Sequence, residues 1–420
     1  MKLLHVVDTL DPERGGVSQA VRTMASEISN AGIYNEVLTL DAPSQKRLDV
    51  AYKINNMGPS RGPWSYSYKL TPWLLENLSR FDTIIIHGLW LYVGFAVKQA
   101  LAKAKRGNST QVLGRKSPSL FIMPHGMLDP YFQQSKKRKA KAIRNWVYWK
   151  LIEGHIVNNS DGLLFTCRQE CTLAREPFKP YQPRKELVVG LGVTNPPLFN
   201  VQMKEIFRSI CPKVPYGQYI LFLGRIDDKK GVDLVIEGYR RLLNNYLVNS
   251  TSGSSEGCVI KQLRLHTPPK HFPHLVIAGP GMQTRYGDML QQLVNDSPTL
   301  REHVCFTGML KGDDKWATVY GCEAFILPSH QENFGIAVVE ALACSKPVLI
   351  SRQVNISSDI YDEGAAIVEE DTVEGTYNML FRWMLTPEVE RSEMKNQARK
   401  CYEKHFAVQG ATDNLIKAIL

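Results

Sequence analysis

The chain has no Cys-x-x-Cys pair among its eight cysteines, no Gly-x-Gly-x-x-Gly fingerprint and no Asp-x-Asp pair. Nor does it hold an apolar run as long as a membrane-spanning helix requires. Each absence removes a class of function. Without paired thiols, the scattered Cys167, Cys171, Cys211, Cys258, Cys305, Cys322, Cys344 and Cys401 read as small hydrophobes rather than a disulfide framework or metal site. They point to a reducing, cytoplasmic compartment. Without the glycine fingerprint, a nicotinamide or flavin enzyme loses its best support. Without an acidic pair, no divalent metal is expected on a phosphate group. The greasiest stretch, Thr83 to Val97, is broken by His87 and two glycines and reads as strand, loop and helix start. The opening "MKLLHVVDTLDPERGG" has too short an apolar segment before Asp8 for a signal peptide.

What is present is a chain of 420 residues, enough for two domains with separate cores. Hydrophobic residues make up 44% and charged residues 22%, the balance of a globular protein. The 51 basic and 41 acidic residues leave a net charge of +10. An anionic partner follows, and charge alone does not choose among phosphates, anionic lipid and nucleic acid. No nucleic-acid module accompanies the charge, so nucleic acid is not expected.

Strand-like and helix-like segments alternate. "KLLHVVDTL" precedes a helical pattern from Val17 to Asn30, and "NEVLTL", "DTIIIHG", "SLFIMPHG" and "DGLLFT" follow. The same grammar restarts near Tyr219 with "YILFLGR", "HLVIAGPG", "VCFTGML", "AFILPS", "KPVLIS" and "AAIVEE". Short, continuous apolar strands are buried on both faces, as in parallel sheets sandwiched by helices. The expected fold is therefore α/β, two doubly wound Rossmann-like domains facing each other across a cleft. A Pro-rich linker is expected around residues 195–216, and the domains at 1–200 and 201–385. Helices over 386–420, starting at Thr386-Pro387-Glu388, would pack back toward the first domain. Asn249 to Gly257 is polar and reads as a surface loop.

Ligands of open parallel sheets bind beyond the carboxyl ends of the strands, and several charged motifs fall there. In "FLGRIDDKKG", Arg225 ends one strand and Lys229-Lys230-Gly231 open the next helix, a cationic turn that suits a diphosphate or is simply a solvated basic loop. In "ENFGIAVVEAL", Glu332 precedes a helix and Glu340 lies inside its apolar run. A buried carboxylate needs a partner: a ribose diol, or an internal Arg or Lys. "MPHGMLDP" sets His125 directly after a strand, and Gly15-Gly16 allow backbone amides to approach an anion. "KKRKAKAIRNWVYWK", Lys136 to Lys150, is either a helix for an anionic bilayer or a solvated helix with one aromatic face buried.

Together, "GRIDDKKG", "PSHQENFGIAVVEALA", the early glycine pair and "PHG" resemble the retaining glycosyltransferases of family four, which have the GT-B fold. The resemblance keeps motif order over nearly the whole chain, and "PHGMLDP" is similar to a subgroup associated with polysaccharide and exopolysaccharide assembly. It implies transfer of a sugar from a nucleotide-diphosphate sugar to a carbohydrate or lipid-linked acceptor, without cofactor or metal. The first domain would face the acceptor and the second would bind the donor. Arg225 and Lys230 would hold the diphosphate and stabilise the leaving group. Glu332, with Asn333, Phe334 and Gly335, would contact the donor sugar, and Glu340 the ribose. Gly15 and Gly16 would approach the phosphates, and His125 the sugar near its reacting carbon. Same-face attack would let the departing phosphate take the acceptor proton. The protein would be cytoplasmic, with a peripheral membrane contact through the basic segment. Ser345 departs from the family's Gly, and "VVGLGV" from its usual strand end. Two other readings are a pyridoxal-phosphate phosphorylase of the same architecture, for which no lysine site is evident, and a non-catalytic binding subunit.

Overall fold

A computed structural model describes the chain except residues 12–14, 44–49, 108–116, 135–137 and 252–271. Lys136 and Lys137 of the basic segment, and most of the polar stretch 249–257, lie outside the described residues. Two compact units result: Met1–Thr194 with Phe406–Leu420, and Asn195–His405.

The first unit is built on seven parallel strands: β1 (Lys2–Val6), β2 (Tyr34–Thr39), β3 (Lys53–Asn56), β4 (Thr83–His87), β5 (Ser119–Met123), β6 (Gly162–Phe165) and β7 (Glu186–Val188). Their order is β3-β2-β1-β4-β5-β6-β7. The winding reverses between β1 and β4, whose carboxyl ends flank the switch point. Leu4, Val6, Ile84, Ile86, Ile122 and Leu163 are buried, as the apolar runs require. Helix Gly16–Asn30 turns Ala20, Val21, Met24, Ala25 and Ile28 inward, the face its periodicity marks. The polar edge strand β3, "KINN", has no apolar run to betray it.

Helix Val408–Ile419 packs against Gly16–Asn30, so the last residues complete the first unit. Gly192 makes this docking fit, because a Cβ there would lie 2.2 Å from the Val408 Cα. The glycines of "VVGLGV" thus serve the returning helix, which explains that departure from the usual strand end.

The second unit has six parallel strands: β8 (Tyr219–Leu223), β9 (His274–Ala278), β10 (Val304–Gly308), β11 (Ala324–Leu327), β12 (Val348–Ser351) and β13 (Ala366–Glu369). Their order is β10-β9-β8-β11-β12-β13, with the switch point between β8 and β11. The stretch read as a linker, 195–216, belongs here and contains helix Gln202–Ile210. Its Met203 and Phe207 are buried, and the Phe207 ring stacks on Tyr219 at 4.5 Å. Of the tail expected from residue 386, helix Glu388–Cys401 stays with the second unit, burying Met394 and Ala398 and packing on helix Ile336–Ala343. Only Phe406 onward returns to the first.

Ser345, where glycine was expected, adopts the left-handed conformation that glycine favours, at φ 58°. Six of the described cysteines are buried, as small hydrophobes would be.

Candidate functional site

In the second unit the candidate residues converge at the switch point. β8 delivers Gly224 and the exposed Arg225, followed by a short 3-10 turn, Asp228–Lys230. Asp227 caps that turn by accepting the Lys229 N–H. Gly231 closes it in a left-handed conformation, at φ 66°, and a Cβ there would sit 2.4 Å from the Pro328 carbonyl oxygen. Only glycine lets the turn lie so close to the loop that follows β11.

Three contacts then stitch the turn to that loop. The His330 N–H donates to the Lys229 carbonyl at 2.9 Å. Lys229 Nζ donates to Gln331 Oε1 at 2.8 Å. Lys230 Nζ donates to Glu332 Oε2, both side chains being largely buried. The loop is itself fixed to the next one, with Glu332 N–H donating to the Gln353 carbonyl and Asn355 N–H to the Glu332 carbonyl, each at 2.9 Å. Lys229 belongs to the cationic turn read from the sequence, whereas Gln331 and His330, which pairs with Asp371 at 2.7 Å, have no role assigned there. Both lie inside "PSHQENFG", beside Glu332.

Burial pulls the Lys230 ammonium down to about 7, and the Lys229 and Arg225 charges push the same way against Asp227. Glu332 at contact opposes them. A dianionic phosphate beside Arg225 and Lys230 would act in the same direction as Glu332.

Gly335 caps helix Ile336–Ala343 in a left-handed turn that brings Glu332, Asn333 and Phe334 to the helix start. Phe334 is buried, and Asn333 Oδ1 accepts from Asn355 Nδ2 at 3.4 Å. Glu340 is 5% exposed, and its Oε1 accepts from Lys315 Nζ at 2.8 Å. Lys315 stands on helix Gly312–Gly321 and covers the Trp316 ring at 4.0 Å. The opposite charge beside Glu340 is therefore an internal lysine, one of the two partners its burial demanded.

In the first unit, Gly15 caps helix Gly16–Asn30 and Gly16 begins it. His125 lies two residues beyond β5 in a left-handed conformation, at φ 52°. Glu170, also unforeseen, holds this turn: the Gly126 N–H donates to its Oε1 at 2.5 Å, and Thr166 N–H and Oγ1 donate to its Oε2 at 2.7 and 2.6 Å. His87, the last residue of β4, donates to or accepts from His125 through Nδ1···Nε2 at 3.0 Å.

The basic helix runs over Lys139–Tyr148 and continues through a wider turn, Trp149–Glu153. Trp149 is buried and stacks on Phe178 at 4.9 Å. Ile143, Trp146, Val147 and Leu151 are exposed instead, among the exposed Lys139, Lys141, Arg144 and Lys150. One aromatic face turns inward and a separate apolar stripe faces outward. Among the described residues no helix is long and apolar enough to cross a membrane.

Residues 204–401 match the family described as "Glycosyl transferases group 1". An uncharacterized glycosyltransferase of Methanocaldococcus jannaschii is 29% identical over 174 residues, 40% of this chain and 37% of that one. The O-antigen chain mannosyltransferase C of Escherichia coli is 21% identical over 391 residues, 89% of this chain and 84% of that one. The first three curated relatives are matched over only 37%, 25% and 51% of their own lengths. Among solved structures, Anabaena HepE in complex with UDP and glucose superposes with a TM-score of 0.68 at 14% identity, covering 100% of this chain and 99% of that one. At that identity the likeness is one of fold: the solved relative shares the doubly wound α/β architecture derived above. The family match thus lies wholly within the second unit.

Proposed function

We propose that the protein is a retaining glycosyltransferase that moves a sugar from a nucleotide-diphosphate sugar to an acceptor hydroxyl, in polysaccharide or glycolipid assembly. The observation that carries this is the cross-linking of the Lys229–Lys230 turn to the Gln331–Glu332 loop, beyond the carboxyl ends of β8 and β11. Breaking a sugar–phosphate bond leaves charge on the diphosphate and an electron-poor sugar. Arg225 and Lys230 stabilise the first, and the start of helix Ile336–Ala343 adds its dipole. Glu332, held by Lys230, is left facing sugar hydroxyls together with Asn333 and the Phe334–Gly335 backbone. Glu340 takes the ribose hydroxyls while Lys315 sets the opposite charge beside it at 2.8 Å. In the first unit, Gly15 and Gly16 receive phosphate oxygens and His125 the donor sugar. No metal or cofactor takes part. The acceptor proton leaves with the departing phosphate on the same face of the sugar, which preserves the anomeric configuration.

The solved relative that holds UDP and glucose makes a UDP-sugar the first donor to try, and the mannosyltransferase relative makes mannose the second sugar to try. Thermal-shift screening with UDP-, GDP- and ADP-sugars identifies the donor. Transfer assayed in chelator, with NMR of the product anomer, then tests metal independence and retention. Product of inverted configuration, or transfer abolished by chelator, overturns the corresponding part.

The exposed stripe Ile143, Trp146, Val147 and Leu151 among lysines and arginines favours a cytoplasmic protein resting on an anionic bilayer, where a lipid-linked acceptor would be met. Co-sedimentation with phosphatidylglycerol vesicles, lost in a Trp146→Ala, Leu151→Ala variant, is the expected result. Equal binding to neutral vesicles would remove the electrostatic half of the reading.

A further inference from the structure

Three histidines form a continuous line in the first unit. His5 lies within β1, His87 ends β4 and His125 follows β5, three neighbouring strands. His5 Nδ1 is 3.0 Å from His87 Nε2, and His87 Nδ1 is 3.0 Å from His125 Nε2. The rings overlap in sequence, with centroids 5.2 and 5.3 Å apart. His5 and His87 are 0% and 4% exposed, and the His5 Nε2 is buried with no hydrogen-bond partner.

Burial lowers the basicity of all three imidazoles, His5 and His125 to about 4 and His87 further because it lies between the other two. All are neutral near pH 7. A neutral imidazole has one N–H and one lone pair, so a line of three must point one way. If His125 donated toward His87, and His87 toward His5, the His5 proton would be stranded on Nε2 with no acceptor. In the opposite sense, His5 Nδ1–H donates to His87, and His87 Nδ1–H donates to His125 Nε2. The buried His5 Nε2 is then a bare lone pair, the more tolerable of the two vacancies. His125 must then carry its own proton on Nδ1, which no described residue engages.

We propose that His5 and His87 are positioning residues that fix His125 as its Nδ1–H tautomer, making it a hydrogen-bond donor to an oxygen of the bound substrate rather than a base. Free imidazole of histidine favours the other tautomer, so the line works against the intrinsic preference. The backbone supports it: the left-handed turn at His125 is clamped by Glu170 through Gly126. The oxygen that receives the proton belongs to a hydroxyl-rich ligand, the donor sugar of the function proposed above, and the inference rests on that reading for the ligand's identity alone.

Long-range proton–nitrogen NMR correlation on the full chain labelled with ¹⁵N-histidine reads the tautomer without any substrate or variant. A protonated Nδ1 and bare Nε2 at His125 are expected. A protonated Nε2 overturns the proposal, whatever the enzyme's activity. His87→Phe should release His125 toward the Nε2–H form and lower kcat/KM by roughly tenfold, with UDP affinity unchanged. His87→Gln, whose amide also donates, should restore both. An unchanged tautomer in folded His87→Phe assigns the line to packing. Because the tautomer is read in the free protein, a chain with the expected tautomer and no transferase activity would refute the proposed function and leave this inference standing.

Discussion

Lys230 Nζ rests on Glu332 Oε2 although 102 positions separate the two residues. The pairing gives each side chain a hydrogen-bond partner in a place where an unpartnered charge would be costly. It also determines how both point, since each side chain is held by the other's element. A ligand that takes over the lysine releases the glutamate for hydrogen bonds of its own.

Lys230→Ala should therefore damage the transition state more than the ground state. In the proposed transfer the lysine would meet charge that grows on the diphosphate as the sugar leaves, so kcat should fall by about a hundredfold with a smaller change in KM. Steady-state kinetics with the identified donor check this. A rise in KM alone would make the residue a simple anchor.

The depressed Lys230 basicity predicts proton uptake. With a value of about 7 in the free protein, the amine is mostly neutral at pH 8, where Lys229, Arg225, Asp227 and Glu332 surround it. A bound diphosphate raises it again, so UDP binding should take up about one proton at pH 8 and much less at pH 6. Calorimetry in buffers of different ionisation enthalpy measures the number, and the signal should vanish in Lys230→Ala.

Glu340 and Lys315 separate a ribose role from a structural one. Glu340→Ala should weaken UDP affinity, and by stranding Lys315 it should also cost about 3 kcal/mol of stability. Lys315→Met removes the internal partner and leaves the carboxylate in place. If UDP affinity survives unaltered in Glu340→Ala, the glutamate is only a counter-ion for Lys315.

Glu153 gives a pH signature in the first unit. It is fully enclosed, accepts the Trp90 N–H at 3.2 Å, and is pushed up to about 8 by burial, with Lys98 offsetting part. The folded protein thus keeps a proton that the unfolded chain releases near 4.5, so stability falls as pH rises through that window and levels off above 8. The whole effect is on the order of 4 kcal/mol. Melting temperatures from pH 5 to 8.5 should converge for wild type and Glu153→Gln at low pH and diverge at high pH. Parallel curves would place the ionisation elsewhere.

Ser345 is strained where glycine is free. Ser345→Gly should raise stability by about 1 kcal/mol with activity unchanged, measured by urea unfolding. A loss of stability would mean that the serine side chain makes up for its backbone.

The sequence pattern carried the fold because every central strand is a short apolar run; "YILFL" could hardly be anything but a buried strand. β3 escaped because an edge strand buries less and needs no such run. Residues 195–216 resemble a linker because their prolines mask the Met203–Phe207 helical spacing. At the site, Arg225, Lys230 and Glu332 were legible from their positions after strands. The Lys229–Gln331 tie and the Glu170 clamp were not, since their partners lie 102 and 44 residues away and only strand order brings them together. His5 left one trace, a polar residue in the middle of an otherwise apolar strand.

The Val193 N–H donates to the Phe406 carbonyl at 2.9 Å, and Val193 pairs in parallel with Ala407. Residues 195–405 therefore leave and rejoin the first unit at almost one point. The second unit is thus one continuous stretch set between two parts of the first. Joining Thr194 to Phe406 by a short linker would keep the contacts internal to the first unit, whereas truncation at residue 194 would strip the helix covering Ala20 and Met24.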